Sequence, residues 1–259
     1  MITTIDDLWK DSTEVNNKQY EIFTAGTENV LVIRDFLKYP DKLKNLIRSF
    51  PYFDSQPTWR PGKTAGFPSS HCPKFGSFIS KQFANVFQSN DVQCYDLYVN
   101  CFNGKMNCSY QLPHVDCSIF PLSVQTHIAV NVCLTENMLG GTSFWSFKNK
   151  MNLFDMSLGQ INELYHIMNS FNSNNSMPWK QFTGDNNFEM EKVIPMEYNT
   201  LVAYPTTTLH SPYIETNWFE TYDRISLAAF LQIYPNFTPS IDEELWKKFR
   251  LKDVFNLTF

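Results

Sequence analysis

Two stretches far apart in this chain carry side chains able to hold a metal ion. "QLPHVDCSIF" (111–120) contains His114 and Asp116 one residue apart, and "YPTTTLHSPY" (204–213) contains His210 just after a β-like run. Two imidazoles and one carboxylate are the donor set of the facial triad that holds non-haem Fe(II) on one side and leaves positions open for chemistry. In extended backbone, residues i and i+2 share a face, so His114 and Asp116 can reach one ion without local strain. The pair alone is a weak signal in a chain with five histidines. His71, His127 and His166 compete with His210 for the third place. His166 falls in a helical pattern beside Met168, where packing or a surface position accounts for it better. His71 falls in a Pro- and Ser-rich loop.

Downstream of His210, "DRISLAAFL" (223–231) places Arg224 and Ser226 two apart on an apolar strand. A guanidinium fork plus a hydroxyl is a natural receptor for a terminal carboxylate. A buried arginine with no anion to pair with is costly, so the alternative at this position is an internal salt bridge to Asp or Glu.

These residues need elements to hold them. "ENVLVIRDFL" (28–37) reads as a strand entering a turn, and "YPDKLKNLIRSF" (39–50) as a helix with Leu43, Leu46, Ile47 and Phe50 at helical spacing. "TWRPGKTAGFPSSHCP" (58–73) reads as a long loop, and 77–89 as a second helix. From about 93 the period becomes two. "QCYDLYVNCFNG" and "QTHIAVNVCL" are strands on either side of the "PHVD" turn, and "GGTSFWSF" (140–147) is a tight turn into another strand. In "QTHIAVNVCL", Ile128, Val130, Val132 and Leu134 form an apolar face. His127, Ala129, Asn131 and Cys133 form a small, polar one that suits either a cavity lining or solvent. A helix is expected over 157–171 with Ser157 as its cap, an exposed Asn-rich loop over 172–189, strands at 199–205 and 223–234, and a final helix over 240–255 capped by Ser240. The expected fold is α+β, a jelly-roll core with flanking helices.

The 259 residues favour a single domain, 1–259. It has a strand-helix support and loop at 28–92, a core at 93–234 interrupted by an insertion at 150–195, and the terminal helix at 240–255. A net charge of −5 without a Lys/Arg block speaks against a duplex nucleic-acid partner. The start lacks the basic and apolar regions of a secretory signal, and no run of apolar residues is long enough for a membrane span. The six cysteines form no C-x-x-C pair and are read as reduced thiols of a cytoplasmic protein.

"HVD … GGTSFW … LHSPYIETNWFETYDRIS" resembles the 2-oxoglutarate/Fe(II)-dependent oxygenases, in particular the prolyl-hydroxylase-like branch. That family's pattern is His-x-Asp, a Gly-Gly-x-[Thr/Ser]-Phe turn, a distal His, then Arg or Lys, often as Arg-x-Ser. His114, Asp116 and His210 match the ligands, Gly140, Gly141, Thr142, Ser143 and Phe144 the turn, and Arg224 and Ser226 the 2-oxoglutarate anchor. The resemblance implies a double-stranded β-helix that uses Fe(II), 2-oxoglutarate and O2. It implies hydroxylation of a small molecule, an amino acid or a peptide, with release of succinate and CO2. A carboxylate at Asp116 favours hydroxylation over halogenation, for which related enzymes carry a small residue there. Asn100, Asn131 and Tyr98 are further cosubstrate candidates, whereas Phe102 stands where relatives carry Tyr and offers no hydrogen bond. Trp59, Arg60, Lys63, His127 and Trp145 are candidates for substrate or lid contacts, with 58–73 and 172–189 as lid segments. The separation of His114 from His210 is long for compact members, and the insertion accounts for it. Two other functions compete: a non-catalytic jelly-roll binding or structural protein, and a Zn(II) metalloenzyme using the same triad. The first predicts that Asp116 and His210 lie far apart. The second leaves Arg224 and Ser226 without a purpose.

Overall fold

A computed structural model describes residues 20–25, 28–54, 63–67, 69–87, 92–102, 113–116, 126–136, 139–148, 183–184, 188–206, 208–215, 218 and 223–233. The helices expected at 157–171 and 240–255, with Ser157, His166 and Ser240, lie outside these residues, as do Trp59 and Arg60.

The chain begins with a hairpin of β1 (Tyr20–Ala25) and β2 (Glu28–Ile33), then α1 (Pro40–Ile47), β3 (Phe53–Asp54), β4 (Lys63–Gly66) and α2 (Cys72–Phe87). Next come β5 (Val92–Phe102), β6 (Thr126–Cys133), β7 (Gly141–Phe147), β8 (Phe188–Pro195), β9 (Leu201–Pro205), β10 (His210–Tyr213) and β11 (Arg224–Ile233). The larger sheet has the order β1-β2-β9-β6-β11-β5-β4-β3 and the smaller β10-β7-β8. His114 adds a single antiparallel bridge to His210 on the edge of the smaller sheet. From β5 onward the chain therefore winds between the two sheets, visiting the larger at β5, β6, β9 and β11. It visits the smaller at His114, β7, β8 and β10. This is the double-stranded β-helix, or jelly roll.

Strand alternation divides the apolar side chains between two cores. Ile128, Val130 and Val132 of β6 and Leu227, Ala229 and Leu231 of β11 face one cluster, with Leu43 and Ile47 of α1 and Phe75, Phe78 and Ile79 of α2. A fully buried side chain such as Phe75 or Ile79 contributes about 1.5–3 kcal/mol relative to exposure. The second cluster joins Ala129, Val202 and Tyr204 of the larger sheet to Phe144 and Ile194 of the smaller. The apolar face expected for β6 is thus the helix-covered one, and Ala129 and Asn131 turn inward.

Three backbone positions demand their residue type. Gly140 has φ 81, and a Cβ on Gly141 would stand 2.1 Å from the Ile194 carbonyl oxygen, so the Gly-Gly turn lets β7 enter against β8. Asn199, with φ 58, holds the support to the core. Its Nδ2 donates to the Leu37 carbonyl and its Oδ1 accepts from the Leu37 N–H, both at 2.8 Å.

Three expectations need correction. The loop placed at 58–73 contains β4, which pairs with β5, and a 3-10 turn at Ser69–His71; α2 then starts at Cys72 rather than 77. A free sheet edge on β5 recruits "KTAG" in spite of its flanking Gly and Pro. The insertion at 150–195 includes β8, which pairs with β7 and belongs to the jelly roll. Lys63 is an exposed β4 strand residue, not a loop residue, and does not line the cavity described below.

Candidate metal centre

The first and third predicted ligands are backbone partners. The His114 N–H donates to the His210 carbonyl and the His210 N–H to the His114 carbonyl, each at 2.9 Å. The Asp116 N–H donates to the Thr206 carbonyl at 2.8 Å, so the His-x-Asp segment is fastened at both ends to the strand that carries His210 and to the turn before it. His210 in turn pairs with Phe144 of β7, in the strand that the Gly-Gly turn opens. Val115, between the two ligands, is buried on the other side.

The side chains converge as well. Asp116 Oδ2 lies 3.2 Å from His210 Nε2 and Asp116 Oδ1 lies 3.7 Å from His114 Nε2. One ligand atom from each of the three falls within 4.8 Å of the others, among the described residues the one His/Cys/Asp/Glu group of this kind. His210 Nδ1 lies 2.9 Å from the Thr208 carbonyl, so it carries the proton and leaves Nε2 for a metal. The Tyr204 ring packs on the His210 ring at 4.6 Å between centroids. Burial opposes the imidazolium of His210, but the charge and hydrogen bond of Asp116 and the Thr208 carbonyl outweigh it and raise the pKa above the ordinary histidine value. Two nitrogens and one carboxylate fit a divalent first-row transition metal better than Ca2+ or Mg2+, which prefer oxygen shells.

Arg224 and Asn100 line the same cavity, and Ser226 lies two residues on from Arg224 along β11. Arg224 is 7% exposed and Ser226 1% exposed. Arg224 Nε, Ser226 Oγ and Asn100 Oδ1 are buried without a hydrogen-bond partner. The pairing of β11 with β5 sets Ser226 opposite Asn100 and Arg224 opposite Phe102. Among the described residues no carboxylate pairs with Arg224, which disposes there of the internal salt bridge. Burial pulls the Arg224 pKa down to about 10, against the opposing influence of Cys133 and Tyr204. The unsatisfied donors of Arg224 and Ser226 are what an anionic ligand would complete, whereas Asn100 Oδ1 is an acceptor and calls for a donor.

The cavity is lined by Tyr98, Asn100 and Asn131 as well as by His114, Asp116, His210 and Arg224. Asn131 Nδ2 donates to the Tyr204 hydroxyl at 3.3 Å. Trp145 needs correction: it is 3% exposed, absent from the lining, and its Nε1 donates to Ser143 Oγ and Ser211 Oγ at 3.0 Å each. Ser143 and Trp145 occupy the face of β7 opposite to Thr142, which does line the cavity. His127 stands on β6 opposite Gln232 of β11, and His71 lies in the turn before α2. Cys72, Cys94, Cys101 and Cys133 are free thiols. Thr142, named above only as part of the turn, also lines the cavity, as do Tyr204, Pro212 and Phe230, which are not singled out by the sequence patterns above. Tyr204 was findable, because Val202 and Tyr204 alternate with Leu201 and Ala203 in "LVAYP".

The fold and the convergent triad define a double-stranded β-helix protein with a candidate mononuclear metal centre. The chain belongs to a family of unknown function, DUF6445, whose family model matches residues 16–224. No curated protein matches it in sequence. Among solved structures it is similar to the non-haem α-ketoglutarate-dependent epimerase SnoN from nogalamycin biosynthesis, with 11% identity, 93% of each chain covered and a TM-score of 0.48. It is also similar to the α-ketoglutarate-dependent carbocyclase SnoK from the same biosynthesis (12% identity, 90% of this chain and 87% of that one, TM-score 0.48). A third is HygX from Streptomyces hygroscopicus, with nickel, 2-oxoglutarate and hygromycin B bound (10% identity, 86% and 91%, TM-score 0.49). Among the described residues, no helix is long and apolar enough to cross a membrane.

Proposed function

We propose that the protein is a 2-oxoglutarate- and Fe(II)-dependent oxygenase of the prolyl-hydroxylase-like branch, hydroxylating an unactivated C–H bond of a small molecule, an amino acid or a peptide. The observation that carries this reading is the coexistence, in one cavity, of a convergent His114/Asp116/His210 triad and a buried Arg224 with no carboxylate partner among the described residues. A triad alone would serve a Zn(II) enzyme equally well; the Arg224 and Ser226 pair supports a dicarboxylate beside the metal. The 3.2 Å approach of Asp116 to His210 speaks against a non-catalytic jelly roll, which has no need to gather these groups.

In this reading His114, Asp116 and His210 would hold the iron. Arg224 and Ser226 grip the far carboxylate of 2-oxoglutarate, with Asn100, Asn131 and Tyr98 as further contacts. The bound iron and 2-oxoglutarate supply the oxidising chemistry, in which O2 ends as one substrate hydroxyl and one oxygen of succinate, with CO2 released. The chain's own work would be to orient the cosubstrate and exclude water. Anaerobic protein given Fe(II), ascorbate and 2-oxoglutarate, then exposed to O2, should form succinate slowly even without substrate. His114→Ala should abolish this. Succinate formation at equal rates in both proteins would refute the reading.

A further inference from the structure

One face of β11 runs from the anion-binding end of the cavity to its surface. Arg224, Ala228 and Phe230 on that strand all line the cavity, and at about 3.4 Å per residue Arg224 and Phe230 lie roughly 20 Å apart along it. At Phe230 the pairing with β5 changes. Phe230 faces Asp96, but Leu231 faces Cys94, so Tyr95 is an extra residue in a β-bulge. Residues directly opposed across an antiparallel pair share a face. Without the bulge, Tyr95 would oppose Leu231 and point at the helix-covered core. With it, Cys94 joins Leu231 in that core, and Tyr95 turns to the other face. There its ring stacks on Phe230, 6.0 Å between centroids and 19° between planes, and Tyr98 meets Phe230 from within the cavity at 6.2 Å and 41°. Tyr95 is 51% exposed, so the row of rings crosses from the buried wall to solvent. A scattered surface aromatic needs no explanation. This one is continuous with the cavity wall and is aimed there by a backbone irregularity.

We propose that Tyr95 and Phe230 form a shelf at the cavity mouth that receives a planar aromatic ring of the substrate, with Tyr95 setting the specificity. The proposal deepens the oxygenase reading and rests on it for the statement that the bound molecule is the substrate. The two rings are near-parallel and stacked, and a further offset-stacked ring extends such a row better than a saturated one; aromatic pairs of this kind add about 0.5–1.5 kcal/mol beyond the area they bury.

Indole, cyclohexanol and tetramethylammonium serve as probes in ligand-observed NMR titrations of the metal-free full-length protein. The expected result is saturable indole binding, weaker binding of cyclohexanol, and a loss of indole affinity of about fivefold or more in Tyr95→Ala that is restored in Tyr95→Phe. Mn(II) added to the wild type should broaden the bound indole resonances, because the shelf adjoins the metal cavity. Tyr95→Ala should keep the wild-type Mn(II) affinity, which shows that it is folded. Equal binding of cyclohexanol, preference for tetramethylammonium, indole binding indifferent to Tyr95→Ala, or indole unbroadened by bound Mn(II) would each overturn the shelf. Failure of the wild type to bind Mn(II) would instead overturn the metal reading, leaving the shelf to be decided by the metal-free titrations.

Discussion

His114 and His210 face each other across a single antiparallel bridge, each donating its backbone N–H to the other's carbonyl at 2.9 Å. Two ligands distant in sequence are therefore held by main-chain bonds, and their ring centroids lie 4.5 Å apart. Such a site is pre-formed: a metal need not order a loop to bind. Asp116→Ala removes the charged donor and leaves the bridge intact. It should weaken Mn(II) binding by at least about 100-fold, while thermal stability of the metal-free protein stays within about 1 kcal/mol of the wild type. Calorimetric titration of both proteins with Mn(II) checks this.

Arg224→Met replaces a buried cation by an apolar side chain of similar length. Because Arg224 has no carboxylate partner among the described residues, the metal-free variant should be as stable as the wild type or about 1–4 kcal/mol more stable, and should fail to bind 2-oxoglutarate. The sign also sets a pH dependence. The folded pKa, about 10, lies below the ordinary arginine value of the unfolded chain, so the cost of burying the cation is fully present below about 10 and relieved as pH rises above it. The stability gap between variant and wild type should therefore narrow from pH 9 to pH 11 in urea melts.

Gly141→Ala places a methyl group 2.1 Å from the Ile194 carbonyl oxygen, against backbone that cannot swing away. The variant should lose about 1–3 kcal/mol or more as β8 is pushed off β7. Since β7 also carries the β10 strand of His210, Mn(II) affinity should fall with it. A variant as stable as the wild type would mean that the two strands are not packed as described.

Asn199→Ala removes both 2.8 Å bonds to Leu37 and puts a Cβ-bearing residue with no local hydrogen bond at φ 58. The expected cost is about 1–3 kcal/mol in chemical denaturation, with Mn(II) affinity unchanged, because Asn199 joins the N-terminal support to the core and touches none of the ligands.

Much of the candidate centre is legible in the amino-acid sequence, because the proposed chemistry would call for rare residue types in a fixed order: His114 and Asp116, then His210, then Arg224 and Ser226. The inward and outward faces of β6 are legible from alternation. Strands near the sheet margins are not. β8 carries exposed Glu and Lys with no regular alternation, and β4 is short and flanked by Pro and Gly; each is a strand only because a neighbour offers an unpaired edge. Trp145 shows a second limit. Its strand is visible in the residue pattern, but which face turns inward depends on how β7 packs against the rest of the fold, and the ring goes to the Ser143 and Ser211 hydroxyls. Tyr95 shows a third, since a bulge reverses the face that simple alternation assigns.

The most direct test is an anaerobic crystal structure of the protein with Mn(II) and 2-oxoglutarate. One ion should sit within about 2.0–2.3 Å of His114, Asp116 and His210, with a carboxylate of the diacid in hydrogen-bond reach of Arg224 and Ser226. An ion bound elsewhere, or a diacid that leaves the guanidinium of Arg224 unengaged, would contradict it.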